Sequence, residues 1–126
     1  MDEIEIYKKV LTRLFEGLGT EKYDKFKNDR LAERKFAVDN LYPDIILTKK
    51  GTKTIDFVIE IVMKEHLNQY SLLNKWVPLS KHEFSFYLLV PKTALKQIEK
   101  WCNEQKIIVR FGTYEIKNNE PIINFF

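Results

Sequence analysis

The chain has 126 residues, 44% of them hydrophobic and 31% charged, which is the size and balance of one domain that buries its own core without disulfides. Lysine and arginine outnumber aspartate and glutamate by 21 to 18, an excess that permits an anionic partner but does not argue for one. One cysteine (Cys102) excludes an internal disulfide, and with His66 and His82 far from it there is no zinc-ligand spacing; with no run near the ~18 apolar residues of a membrane span, and an N-terminus that is acidic and then amphipathic, a soluble, cytoplasmic protein is expected.

In "DEIEIYKKVLTRLFEGLG" the residues Ile4, Tyr7, Leu11, Leu14, Phe15 and Leu18 recur at three- and four-residue steps, and glycines at 17 and 19 close the pattern. This predicts an amphipathic helix. The next stretch, "TEKYDKFKNDRLAERKFAVDN", is polar and weakly periodic, and reads as a loop or short helix leading into a strand near Arg34 to Val38. From Tyr42 the period becomes two: "YPDIILT" and "TIDFVIEIVM" flank "KKGTK", whose glycine signals a turn, so a β-hairpin is expected. "EHLNQYSLLNKWVPL" puts Leu67, Tyr70, Leu73 and Val77 on one helical stripe that Pro78 closes. "EFSFYLLV" is strand-like and ends at Pro91, "KTALKQIEKWCNEQ" places Leu95, Ile98 and Cys102 on one helical face, and "KIIVRFGTYEI" forms a last strand or pair. The order is helix, two or three antiparallel strands, helix, strand, helix, strand. It implies an α/β three-layer sandwich, a central mixed sheet flanked by helices, in a single domain over residues 1–126.

The residue that stands out is Glu60, in the middle of the apolar run "FVIEIVM". Buried without a partner, a carboxylate there costs several kcal/mol or more. Period two puts Glu60 on a face with Asp56, Val58, Val62 and Lys64, and a three-residue loop at Gly51, Thr52 and Lys53 brings Asp44 directly across from it. Two facing carboxylates repel unless a proton or cation lies between them. A two-residue loop would send Asp44 to the other face, so the pairing depends on register.

Pro43-Asp44 at the start of one strand, Glu60 within a second apolar strand, and the order of elements around them resemble the PD-(D/E)XK nuclease superfamily over roughly residues 1–110. The resemblance implies a restriction-endonuclease-like fold and metal-dependent hydrolysis of nucleic acid phosphodiesters, DNA ahead of RNA. It assigns Asp44, Glu60 and the carbonyl of Ile61 to a divalent metal, magnesium or manganese. The family's lysine, two residues after the second acid, is replaced here by Val62. Lys64, on the same face but one strand repeat on, is the expected substitute. Lys75, on the following helix, reads as pointing away from the apolar stripe and as the poorer one. Gln69 and Tyr70 resemble residues that line the site in some members, and Lys35, in a stretch of cations interleaved with Tyr23, Phe26 and Phe36, joins them as a candidate substrate contact.

Plainer readings stand beside these. Asp44 fits a turn at a strand entrance, Glu60 a solvent-facing strand position, Lys64 a solvated strand end and Cys102 a core position, while Glu21, Asp24, Asp29 and Glu33 cancel most of the charge of the basic stretch. The apolar tail "EPIINFF" calls for cover, either by docking on the sheet or by a homodimer contact. A catalytically silent domain of the same fold, binding nucleic acid or a protein, is the alternative that Val62 favours. An unrelated α/β interaction module is the reading left if the two acids fall on opposite faces.

Overall fold

The computed structural model describes residues 1–126 apart from the side chains of His66 and Gln69. Helix α1 (Glu3–Gly17) begins at Asp2, whose carboxylate accepts the Glu5 N–H at 2.9 Å, an N-cap of the kind that contributes about 1 kcal/mol. It buries Tyr7, Val10, Leu11 and Leu14. Val10 therefore belongs to the stripe, while Ile4 is exposed.

Six strands form one mixed sheet in sequential order, β1 (Tyr23–Lys27), β2 (Ile45–Lys49), β3 (Ile55–Ile61), β4 (Ser85–Pro91), β5 (Arg110–Lys117) and β6 (Glu120–Phe125). Pairs β1/β2, β2/β3 and β5/β6 are antiparallel, whereas β3/β4 and β4/β5 are parallel. A parallel step needs a crossover. Between β3 and β4 it is α2 (Gln69–Ser71), a π-helical turn (Leu72–Trp76) and α3 (Val77–Ser80); between β4 and β5 it is α4 (Leu95–Glu104). Right-handed crossovers that step the same way across a sheet land on the same face. Accordingly Leu72, Trp76, Leu79, Ile98 and Cys102 share one core with Val58, Val62, Phe86 and Leu88. On the opposite face α1 packs on Ile45, Leu47, Ile59, Ile61, Leu89 and Tyr114. The chain is thus an α/β sandwich with helices on both faces of a mixed sheet. Among the described residues no helix is long and apolar enough to cross a membrane.

Three local expectations need correction. The strand expected at Arg34 to Val38 lies earlier, at Tyr23–Lys27; of the expected segment only Val38 bridges, to Leu41. Tyr23 meets Phe57 edge-on and Phe26 packs on the other core, so β1 uses both faces and shows no simple alternation. The stripe after the hairpin is also different. Leu72, Trp76 and Leu79 are buried, whereas Tyr70 is 76% and Leu73 50% exposed. The π turn continues the helix past the expected stop: Val77 N–H donates to the Leu72 carbonyl, five residues back, and Pro78 opens α3. Third, Lys49 N–H donates to the Thr54 carbonyl, leaving a four-residue loop whose Gly51 takes φ 73°. The tail, in contrast, docks as the antiparallel edge strand β6.

Candidate active site

That four-residue loop would by itself separate the two acids. A bulge between Leu47 and Thr48 restores the register: Thr48 pairs with Ile55 but Leu47 with Phe57, which leaves Asp56 as the extra residue. Ile45 then faces Ile59, and one step further Asp44 faces Glu60. Both are buried, at 0% and 2% exposure. Here the ladder passes through side chains: Asp44 N–H donates to Glu60 Oε1 at 3.3 Å, and Ile61 N–H donates to Asp44 Oδ2 at 2.7 Å.

Two cations serve the pair. Arg30 Nη2 donates to Asp44 Oδ2 at 2.7 Å and to the Ile61 carbonyl at 2.6 Å, and lies 3.6 Å from Glu60 Oε1. Lys75 Nζ is ion-paired with Glu60 Oε2. Tyr7, reaching across from α1, donates its hydroxyl to Asp44 Oδ1 at 2.7 Å and accepts the Arg30 backbone N–H at 3.2 Å, while its ring lies 4.9 Å under the guanidinium. The loop that carries Arg30 is pinned by Asn28, fully buried, whose amide donates to the Phe36 and Pro43 carbonyls and accepts the N–H groups of Lys35 and Phe36.

The electrostatics follow from this crowding. Burial, reinforced by the charge of Asp44, pushes Glu60 up to about 8 against the opposing pull of Lys75 and Arg30. Burial also raises the Tyr7 hydroxyl far above its ordinary value, with Asp44 adding to the effect, so it stays a proton donor. Burial disfavours the Arg30 charge, but Asp44 and then Glu60 more than offset this, and its pKa rises.

The three oxygens that the resemblance assigns to a metal, on Asp44, Glu60 and Ile61, therefore converge on one point, and the cation at that point is a guanidinium nitrogen. The donors suit a hard divalent ion, being two carboxylates and a carbonyl. Among the described residues no three His, Cys, Asp or Glu side chains gather, so the third protein ligand would have to be the backbone carbonyl.

The other expected residues lie elsewhere. Lys64 is exposed after β3 and lines a groove with Glu3, Ile6 and Lys92 instead of reaching the acids. Tyr70 points outward, Lys35 is exposed and 3.4 Å from Glu33, and the Gln69 side chain lies outside the described residues. His66 does too. The basic stretch is largely spent internally: Lys25 caps α1 through the Phe15 and Leu18 carbonyls, and Arg34 stacks on Tyr42. Arg30 and Tyr7 are the members of the site that sequence reasoning passed over, and Lys75, read as pointing away and ranked below Lys64, is the one it misplaced. Lys75 was legible, since a stripe drawn through Leu72, Trp76 and Leu79 carries residue 75 with it. Tyr7 gave a weaker hint, as a hydroxyl on a buried stripe needs a partner. Nothing local marked Arg30. Compared with known proteins, the chain matches no family model, no curated protein and no solved structure.

Proposed function

We propose that this chain is a PD-(D/E)XK nuclease-like domain whose site hydrolyses nucleic acid phosphodiesters, DNA ahead of RNA, with magnesium or manganese at Asp44, Glu60 and the Ile61 carbonyl. The observation that carries the reading is Lys75: its ammonium reaches Glu60 from the helix after the hairpin, on the acid that faces Asp44. Members of the superfamily that lack the lysine beside the second acid supply it from elsewhere, and Lys75 fills that role in place of Lys64. The order α1, three antiparallel strands, helices and a parallel strand supports the restriction-endonuclease-like form of the sandwich. Buried Cys102, its thiol pushed up to about 12 by burial and by Glu99, is inert and suits a reducing cytoplasmic setting.

A divalent ion held there would polarise the scissile phosphate and lower the pKa of a bound water. The chain's own groups do the rest. Tyr7 and the Ile61 N–H fix both oxygens of Asp44. Lys75, its side chain 26% exposed, holds Nζ on Glu60, where it would hold a water or a phosphate oxygen beside that acid. A second reading, a silent domain that binds nucleic acid or a protein, is favoured by Val62, which is part of the core, and by Arg30 in the metal position.

Calorimetric titration of Mg²⁺ and Mn²⁺, with plasmid and oligonucleotide cleavage on the same samples, separates the readings. The nuclease proposal expects metal binding that Glu60→Gln abolishes and cleavage that Lys75→Met abolishes while metal still binds. Binding without cleavage assigns the chain to the silent class. No binding in the wild type or in a variant lacking the Arg30 charge removes the metal site altogether.

A further inference from the structure

Arg30 is held in two different ways. Its backbone is fixed, by the N–H to Tyr7 Oη and by the loop that Asn28 pins. Its guanidinium, by contrast, is held by contacts to Asp44, Glu60 and the Ile61 carbonyl and lies along the Tyr7 ring, on a side chain that is 16% exposed. Adjoining it is a cavity of about 90 Å³ whose lining includes Tyr7, Arg30 and two further acidic residues, Glu3 and Glu65. Nη2 and a divalent ion would use the same three oxygens, on Asp44, Glu60 and Ile61. They exclude each other by contact. Charge points the same way: with both acids ionised, a divalent ion beside Arg30 and Lys75 would leave two buried positive charges in excess, and only one once Arg30 has left.

We propose that Arg30 is a resident, displaceable cation that closes this site to metal, and that on metal entry its guanidinium turns about its anchored backbone into the cavity between Glu3 and Glu65. The proposal rests on the metal-site reading above and adds its regulation. Metal affinity is then reduced by the fraction of molecules whose Arg30 has swung out.

The test is Mn²⁺ titration by calorimetry into the wild type, Arg30→Ala, Arg30→Ala with Glu60→Gln, Glu3→Gln with Glu65→Gln, and Arg30→Ala with Glu3→Gln and Glu65→Gln, each checked for folding by circular dichroism. If the closed arrangement dominates, with the open form at about 10% or less, Arg30→Ala binds Mn²⁺ at least about tenfold more tightly than the wild type. Adding Glu60→Gln abolishes that binding. Removing both cavity carboxylates weakens Mn²⁺ binding in the wild type but leaves it unchanged in the Arg30→Ala background. Equal affinity of wild type and Arg30→Ala overturns the displaceable cation while leaving the metal site standing; no binding by either overturns both. Should Arg30→Ala fail to fold, ¹⁵N-arginine spectra of the wild type decide the matter. Saturating Mg²⁺ must then shift the Arg30 side-chain signals and spare Arg13, Arg34 and Arg110, and unmoved Arg30 signals refute the proposal.

Discussion

Tyr7→Phe isolates one hydroxyl in the buried network. Phenylalanine keeps the ring that packs in the α1 core and lies under the Arg30 guanidinium. What is lost is the 2.7 Å bond to Asp44 Oδ1 and the acceptor for the Arg30 N–H. A hydrogen bond to a charged group contributes about 1.5–3 kcal/mol, and a buried donor deprived of its acceptor costs about 1–3 kcal/mol. Together they argue for a loss of about 3 kcal/mol. At about 2.1 cal/mol/K per residue, unfolding 126 residues carries an entropy near 0.26 kcal/mol/K, so the melting temperature falls by about 12 °C. Tyr114→Phe is the internal reference. Its hydroxyl is equally buried and donates at 2.7 Å, but to the neutral Val62 carbonyl, which predicts about 1 kcal/mol and about 4 °C. Urea and thermal melts of both variants supply the comparison. A Tyr7→Phe loss no larger than that of Tyr114→Phe would refute the claim that the acid site draws on α1 for its structure.

Trp76→Ala should cost about 3–5 kcal/mol, because it empties the largest fully buried side chain from the core, and Leu73→Ala less than about 1 kcal/mol, because Leu73 is half exposed; denaturant melts that reverse this ranking would mean the π turn is out of phase. The pH dependence of stability tests Glu60. Its folded-state pKa, raised from 4.5 to about 8, means that the native chain holds a proton the unfolded chain releases. This contribution is therefore fully present below about 4.5 and is lost as pH rises through about 8, by up to about 1.4 kcal/mol per pH unit. Relative to Glu60→Gln, the wild type should lose stability across that window, and parallel profiles would show that Lys75 and Arg30 keep Glu60 charged throughout.

The helices α1 and α4 were legible because each buries one face and so writes its period into the sequence, whereas the hairpin and β4, which feed the cores on both faces of the sheet, were legible as short apolar runs between turn signals. The facing of Asp44 and Glu60 was legible for a subtler reason. The expected three-residue loop is wrong, yet an even loop together with one bulged residue, Asp56, gives the same parity. Register near the acids is set by which face Ile46, Val58 and Val62 must bury, and the turn adapts to it. Lys75 was misplaced because the stripe through Leu67, Tyr70, Leu73 and Val77 looked as apolar as the true one, and only the sheet decides which of two adjacent stripes is buried. Arg30 was hidden more deeply. Its position depends on a loop closed by four hydrogen bonds of a single asparagine, and no period in the sequence reports such a closure.

The cluster is hard to justify by stability. Replacing a buried ion pair or triad with apolar groups of similar volume is often neutral or favourable by about 1–4 kcal/mol, and Glu60 already sits among Val58, Val62 and Leu88. Apolar residues in place of the whole cluster, not of Glu60 alone, would suit folding about as well. The proposed metal site would account for the acids by what they bind, and for the two cations by what the acids require when nothing is bound. Without Arg30 and Lys75, two facing carboxylates in a low-dielectric core would have to take up a proton or separate, and separation would break the β2/β3 ladder at its end. Lys75 can meet this need from the side, on Glu60 Oε2, and leave the shared oxygens open. Arg30 meets it from within, on the oxygens a metal would use. On the proposed metal reading, the fold needs Arg30 while no metal is held and the chemistry needs it elsewhere, so that its displacement, and not the affinity of the acids alone, would set when such a site acts.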